Sequence, residues 1–148
     1  MSQVIHVAHS PDADDAFMHF AVVRGKVPTH GIEFREVLAD IETLNQEARR
    51  GTYEVTAVSL HAYVHLADRY ALLNTGASLG DGYGPVVIAT TELTREALAG
   101  RRVATPGRLT SARLALQLWQ PAAECVDVPF DAVGAEVRSG RVDAGVII

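Results

Sequence analysis

Short runs of β-branched and other apolar residues alternate with amphipathic segments along all 148 residues of the chain. This alternation is typical of βα units, in which helices cover a parallel sheet. The predicted strands are residues 4–8, 32–38, 55–59, 72–75, 86–89, 102–105, 125–128 and 144–148. The predicted helices are residues 16–24, 40–49, 61–68, 93–98, 110–119 and 132–139. We therefore predict an α/β fold.

The second predicted helix carries both of its end signals. Asp40 suits the N-terminal cap, because its carboxylate can accept hydrogen bonds from the N–H groups of the first turn. Gly51 suits the C-terminal cap, where the backbone often adopts a left-handed conformation.

A glycine-rich segment, Gly76 to Pro85, divides the pattern into two halves. Its backbone freedom predicts a hinge between a first lobe, residues 1–85, and a second lobe, residues 86–148. The alternative is a long surface loop without a hinge role. A dinucleotide site is not indicated. Such a site requires the spacing G-x-G-x-x-G at the start of a helix, whereas this segment has G-x-G-x-G followed by a proline and a strand.

The far end of the chain, Val142 to Ile148, has the pattern of a core strand and stops on an apolar residue. A second lobe of about 60 residues would have difficulty in covering both faces of its sheet. We therefore expect the second lobe to be incomplete in this chain.

Charge and cysteine content exclude several classes of protein. The chain has 13 Lys and Arg against 18 Asp and Glu, a net charge of −5, and lacks the basic stripe that a nucleic-acid binder needs. Cys125 is its one cysteine, which favours a reducing compartment. The first residues do not resemble an export signal, and no apolar stretch approaches 18 residues. We expect a cytoplasmic protein without a nucleic-acid or membrane partner.

Three polar turns follow predicted strands, where α/β proteins commonly bind ligands. The first runs from His9 to Asp15 and contains Ser10 and Asp14. These residues are candidates for ligand contact, and capping of the following helix is an equally good interpretation. A calcium site is disfavoured, because the glycine and the distal glutamate of an EF-hand loop are missing.

The second turn, Thr56 to His61, contains Ser59, which could donate a hydrogen bond to a carboxylate or could cap a helix. His61 and His65 are four residues apart, a spacing that metal sites use, but Ala62 lies where a zinc protease has glutamate. No metal site is predicted.

The third turn, Thr105 to Ala112, gives the strongest indication of binding. Thr110 and Ser111 stand at the start of a helix whose amides can bind an oxyanion, and Arg108 lies close by. The lysine and the glycines of a P-loop are absent, so a carboxylate is favoured over a nucleotide phosphate. The alternative is a capped helix without a ligand.

Polar turns on two lobes predict a cleft that closes on a small anion. Such a cleft fits a solute receptor or an enzyme with the same architecture. No G-x-S-x-G nucleophile motif occurs, so the residues themselves identify no catalytic group.

Four segments carry a resemblance to a known family: residues 10–17, 37–45, 82–87 and 103–112. In particular, Asp-Ile-Glu-Thr-Leu-Asn at 40–45 and Pro-Gly-Arg-Leu-Thr at 106–110 resemble blocks of the 1,4-dihydroxy-6-naphthoate synthases of the futalosine route to menaquinone. The resemblance implies a type 2 periplasmic-binding-protein-like fold with two lobes around a cleft. It also implies a carbon–carbon lyase that needs no cofactor and releases the naphthoate and a three-carbon fragment from cyclic dehypoxanthinyl futalosine.

The resemblance also implies which residues contact the substrate, a small-molecule carboxylate. Ala57, Val58 and Ser59 match the contact segment of the first lobe, and Thr110 and Ser111 match the contact pair of the second. Where family members often have Ser-Pro-Cys-Pro-Asn-Asp-Thr, this chain has Ser-Pro-Asp-Ala-Asp-Asp-Ala at 10–16. Chorismate dehydratase of the same pathway shares the fold and remains an alternative, as does a carboxylate-binding solute receptor.

The catalytic histidine of the family follows the strand that Val146 to Ile148 match, so it is not among these residues. None of the six histidines of the chain falls at that position. We therefore assign no catalytic residue and expect the 148-residue chain to be inactive alone. Its oligomeric state is left open.

Overall fold

The computed structural model describes residues 3–148. The chain divides into two compact units, Met1–Leu79 and Gly80–Ile148, so that the boundary lies within the glycine-rich segment. We call them the first unit and the second unit and describe each by itself.

The first unit contains a three-stranded parallel sheet in the order β2-β1-β3. Its strands are β1 (Gln3–His9), β2 (Ile32–Leu38) and β3 (Val55–Thr56), and its helices are α1 (Ala13–Val23), α2 (Ile41–Arg50) and α3 (Leu60–Tyr63). Along β1 the register runs from Gln3 opposite Ile32 to His9 opposite Leu38, so the carboxyl ends of β1 and β2 lie at the same edge.

Both predicted caps of α2 are confirmed. The Asp40 carboxylate accepts a hydrogen bond from the Thr43 N–H at 3.0 Å and another from the Thr43 hydroxyl at 2.5 Å. Burial acts to raise the pKa of the Asp40 carboxyl, but these hydrogen bonds outweigh it and hold the pKa below its ordinary value. Gly51 ends the helix at φ 72°, a left-handed conformation that a side chain would strain.

The second unit contains a four-stranded sheet in the order β4-β7-β5-β6. Its strands are β4 (Val86–Ala89), β5 (Arg102–Thr105), β6 (Glu124–Asp127) and β7 (Ala144–Ile147), and its helices are α4 (Ser111–Trp119) and α5 (Val133–Arg138). Val103 packs into a cluster with Leu116 of α4, whereas its neighbour Ala104 packs into another with Val133 of α5. Successive residues of a strand point to opposite faces, so the sheet is covered on both faces.

The structure confirms the α/β class and corrects the predicted elements at five places. The helix predicted at 61–68 is only Leu60–Tyr63, because the chain continues in turns after Tyr63. The sheet of the second unit is not all parallel, because β4 pairs antiparallel with β7. Residues 72–75 form no strand and are exposed, since no neighbouring strand pairs with them. The strand predicted at 55–59 is only Val55–Thr56, and the helix predicted at 93–98 is only a 3₁₀ turn, Glu96–Leu98.

Candidate functional site

Two of the three polar turns lie at one edge of the first unit's sheet. β1 and β3 are parallel neighbours, and Ala8 lies opposite Thr56 in the register. The Ala57 N–H extends the pairing by donating to the Ala8 carbonyl at 2.8 Å. The turn after β1 and the segment Ala57 to Ser59 after β3 are therefore adjacent.

The turn after β1 is held together by its own polar groups. Ser10 is 2% exposed, and its N–H donates to the buried Asp15 carboxylate at 2.9 Å. The Ser10 hydroxyl donates to the Asp12 carboxylate at 3.0 Å and accepts from the Asp12 N–H at 3.1 Å. Asp12 occupies the N-cap position of α1, but its side chain makes no capping hydrogen bond. These contacts order the turn, and the Ser10 hydroxyl makes both of these hydrogen bonds within the turn itself.

Asp14 is exposed on the first turn of α1. A hydrogen bond from the Ser78 side chain lowers the pKa of its carboxyl below the ordinary value, more than burial raises it. Asp14 is therefore an anion near neutral pH, and it does not favour contact with a ligand carboxylate.

His9 lies behind this turn and was not among the predicted site residues. It is fully buried, with Nδ1 2.7 Å from the Ser10 carbonyl and Nε2 3.2 Å from the Glu36 carboxylate. These two contacts tie His9 to the turn after β1 and to Glu36 of β2. The His19 ring stacks on the His9 ring at a centroid distance of 4.5 Å. Burial, and to a smaller extent the neighbouring His9, lowers the pKa of His19 below its ordinary value.

Ser59 is fixed by a buried side chain that sequence reasoning did not identify. Asn45 of α2 is fully buried; its Oδ1 accepts from the Ser59 N–H at 3.0 Å, and its Nδ2 donates to the Ser59 hydroxyl at 2.7 Å. Ser59 is the N-cap residue of α3 but makes no side-chain capping bond. A sequence signal existed: Ile41, Leu44, Asn45 and Ala48 have the spacing of a buried helix face, and Asn45 is its polar member.

The third turn follows β5 in the second unit and leads into α4. Thr110 is the N-cap: its hydroxyl accepts from the Arg113 N–H at 3.3 Å and donates to the Gly107 carbonyl at 2.8 Å. Gly107 is buried at φ 134°, a conformation for which glycine is strongly favoured. Arg108 and Ser111 are exposed. The turn therefore presents a guanidinium, a hydroxyl and the N–H groups of a helix start, a set that suits an anion.

Behind this turn an ionic group ties α4 to the sheet. The Asp127 carboxylate of β6 accepts from the Thr105 hydroxyl at 2.8 Å and pairs with the Arg113 guanidinium. Arg113 is mostly buried, so its charge is directed to Asp127 rather than to solvent. Neither Asp127 nor Arg113 was predicted, because the pairing depends on how β6 lies beside β5.

An apolar groove of about 380 Å³ also lies in the second unit, apart from the polar turn. It is lined by Pro85, Val86, Val87, Ala115, Leu116, Trp119 and Val146. Because none of these residues belongs to the turn at 105–112, the groove is not the predicted anion site.

Neither a metal-binding cluster nor a membrane-spanning helix occurs within residues 3–148. Among these residues no group of three or more His, Cys, Asp or Glu side chains is arranged to hold a metal ion. The imidazoles of His61 and His65 lie with their centroids 6.1 Å apart and tilted. Within the same range, none of the helices has the length and apolar character needed to cross a membrane.

Comparisons with known proteins identify relatives over nearly the whole chain. A family model described as menaquinone biosynthesis matches residues 5–148. A 1,4-dihydroxy-6-naphthoate synthase of Thermus thermophilus is 39% identical over 146 residues, which are 99% of this chain and 53% of that protein. The chain thus spans about half the length of this relative.

Solved structures agree with this result. A crystal structure of a protein from Archaeoglobus fulgidus superposes with a TM-score of 0.91 at 52% identity, over 98% of this chain and 53% of that one. An ancestral amino-acid-binding protein, a precursor of cyclohexadienyl dehydratase, matches with a TM-score of 0.62 at 15% identity, over 97% of this chain and 69% of that one. The second match shows the fold alone and confirms the expected likeness to periplasmic-binding-protein-like structures.

Proposed function

The chain belongs to the menaquinone biosynthesis family, and we propose that it acts at the step that forms 1,4-dihydroxy-6-naphthoate, as part of a lyase that cleaves cyclic dehypoxanthinyl futalosine without a cofactor. The observation that carries the proposal is the family match over residues 5–148, which includes the polar turns of both units. The identity to the Thermus thermophilus synthase supports the same step.

The proposed role of these residues is to bind the carboxylate of the naphthoate ring system. In the second unit the donors are the Ser111 hydroxyl, the backbone N–H groups of the first turn of α4 and the Arg108 guanidinium. A helix start favours an anion through its N–H groups and its dipole. In the first unit the segment Ala57 to Ser59 is the proposed substrate contact, and Asn45 holds Ser59 in place. Hydrogen bonds to a charged group contribute about 1.5–3 kcal/mol each.

Thr110 acts in this proposal through the backbone. Its hydroxyl caps α4 and contacts Gly107, so it shapes the turn that presents Ser111 and Arg108. Ser10 acts similarly through the turn after β1, since its hydroxyl is bonded to Asp12.

No catalytic residue is assigned within these 148 residues, so binding is the property to test in them. We expect calorimetry under anaerobic conditions to show binding of 1,4-dihydroxy-6-naphthoate and at least about 10-fold weaker binding of naphthalene-1,4-diol, which lacks the carboxylate. Equal affinity for the two, or no binding of the naphthoate, would overturn the proposal.

A companion assay examines turnover. The chain is incubated with cyclic dehypoxanthinyl futalosine, and release of the naphthoate is followed by chromatography. We expect none from these residues alone. Release would show that a group within the 148 residues serves as the proton acceptor.

A further inference from the structure

We propose that Asp127 is a specificity-determining residue of the turn after β5: it holds the Arg113 guanidinium against the sheet, so that the turn favours a carboxylate, with one negative charge, over a phosphate monoester, with two. This inference rests on the proposed function, since it takes the turn at 105–112 as the carboxylate site. It adds the charge that the site accepts and the residue that sets this charge.

Asp127 joins the two ends of the turn. It lies directly opposite Thr105 in the parallel pairing of β5 with β6. Thr105 is the last residue of β5 and is fully buried, and its hydroxyl donates to Asp127 Oδ1 at 2.8 Å. Arg113, in the first turn of α4, pairs with the same carboxylate oxygen. Asp127 therefore bonds to the residue that precedes the turn and to the helix that follows it.

The two arginines near the turn differ in their surroundings. The Arg113 side chain is 16% exposed, and the Asp127 carboxylate balances its charge. Arg108 is exposed, and within residues 3–148 it makes no ion pair. Because Arg113 is paired, Arg108 is the cation that the turn presents to solvent.

The charges of this region set the preference. Residues 105–113 contain two charged side chains, Arg108 and Arg113, and Asp127 cancels one of them. One positive charge remains, which a carboxylate balances. A phosphate monoester loses its second proton with a pKa of about 6, so near neutral pH it carries a second negative charge that the turn leaves uncompensated.

The Asp127→Asn variant changes the charge and keeps the shape of the side chain. The introduced amide oxygen can still accept from the Thr105 hydroxyl, but the ion pair with Arg113 is lost. The positive charge of the region rises by one unit. Coulomb attraction is proportional to the product of the two charges, so a doubly charged ligand gains twice the free energy that a singly charged ligand gains at the same distance.

The test is anaerobic calorimetry of the 148-residue chain with 1,4-dihydroxy-6-naphthoate and 2-naphthyl phosphate, at about pH 7.5 and about 0.1 M salt, where charges more than about 10 Å apart are largely screened. For Asp127→Asn we expect affinity to rise by about 3-fold for the naphthoate and by about 10-fold for the phosphate, so that the ratio of the two affinities shifts about 3-fold toward the phosphate. A packing defect would lower both affinities together and leave their ratio unchanged.

Arg113→Gln should act in the opposite direction, and it keeps the inference testable if Asp127→Asn does not fold. It removes a positive charge and leaves Asp127 in place, so affinity should fall for both probes and more for the phosphate. The double variant Asp127→Asn/Arg113→Gln has the same total charge as the original chain. Its ratio of affinities should therefore return to within about 2-fold of the original value.

Asp143→Asn is the matched control. Asp143 is also a carboxylate with two donors: Oδ1 accepts from Arg101 Nη1 at 2.9 Å, and Oδ2 accepts from the Arg102 N–H at 3.0 Å. Arg102 is the first residue of β5, so this pair lies at the opposite end of the strand from the turn. Loss of the Asp143 charge should leave the ratio of affinities unchanged.

The outcomes are distinguishable. If the unsubstituted chain does not bind the naphthoate, the proposed function fails and this inference fails with it. If the chain binds the naphthoate and the folded Asp127→Asn or Arg113→Gln variant keeps the original ratio, the proposed function stands and the specificity role of Asp127 is wrong. An equal shift in Asp143→Asn would also contradict this role, since the ratio would then follow the total charge of the protein.

Discussion

Gly145 of β7 packs so closely against α5 that one added methyl group should destabilise the second unit. A Cβ at this position would lie 2.6 Å from Val133 Cγ1 and 2.9 Å from Val137 Cγ2. Carbon atoms in favourable contact are about 3.5–4.0 Å apart, so the valines would have to move by roughly 1 Å. Both are buried, and β-branched side chains in a helix have one strongly preferred rotamer. We therefore expect Gly145→Ala to lower the free energy of unfolding by about 1–3 kcal/mol.

The assay is urea denaturation followed by fluorescence of Trp119. This residue is the one tryptophan of the chain and lies on α4, so its signal reports the second unit. With a urea m-value of about 1–3 kcal/mol/M, the midpoint should fall by roughly 0.3–3 M. Because Gly145 lies opposite Ala104 of β5, the same distortion should disturb the strand that carries the third polar turn.

Gly134→Ala is the matched control on α5. A Cβ there would meet only the Arg138 side chain, with Nη1 at 3.2 Å and Cζ at 4.0 Å, and that side chain is long and exposed. Alanine is favoured over glycine in helices by about 0.8–1 kcal/mol, so the midpoint should rise or stay unchanged. An unchanged midpoint for Gly145→Ala would refute the close packing, as would equal shifts for both variants.

Three further predictions concern caps and titration. Asp40→Ala should lower the free energy of unfolding by about 1 kcal/mol, measured by urea denaturation with circular dichroism, because α2 loses its cap; an unchanged midpoint would contradict this. Thr110→Val should cost about 0.5–2 kcal/mol by Trp119 fluorescence and Thr110→Ser much less, and equal effects would show that the hydroxyl does not cap α4. Burial and then His9 lower the pKa of His19 from its ordinary 6.5, against the opposing charges of Asp15 and Glu36. The folded chain therefore binds a proton at His19 less readily than the unfolded chain does. The free energy of unfolding should decrease as the pH falls from about 6.5 toward the lowered pKa of His19. In the His19→Gln variant this decrease should be smaller.

Local signals were sufficient to predict the elements that begin and end on specialised residues. Asp40 and Gly51 bound α2 as expected, and Thr110 caps α4 as expected, because the caps depend on residues adjacent in sequence. The strands at 32–38, 86–89 and 102–105 also lie where the apolar runs predicted them.

Pairing direction and burial were not predictable in the same way. The sequence of β4 contains nothing that distinguishes antiparallel from parallel pairing, since both require the same apolar residues. Residues 72–75 are apolar enough for a strand but do not pair with any strand of the described residues. Asn45 and His9 act through contacts with Ser59 and Glu36, which lie 14 and 27 residues away, so only the fold brings them together.

The central claim, that the polar turn after β5 in the second unit binds a naphthoate carboxylate, is tested most directly by titrating the ¹⁵N-labelled chain with 1,4-dihydroxy-6-naphthoate and recording its amide spectrum. The account predicts saturable shifts at residues 57–59 and 110–112, and weaker shifts there with naphthalene-1,4-diol. Shifts confined to the apolar groove around Val87, Leu116 and Val146 would contradict it, because the ring system would then bind without its carboxylate being recognised.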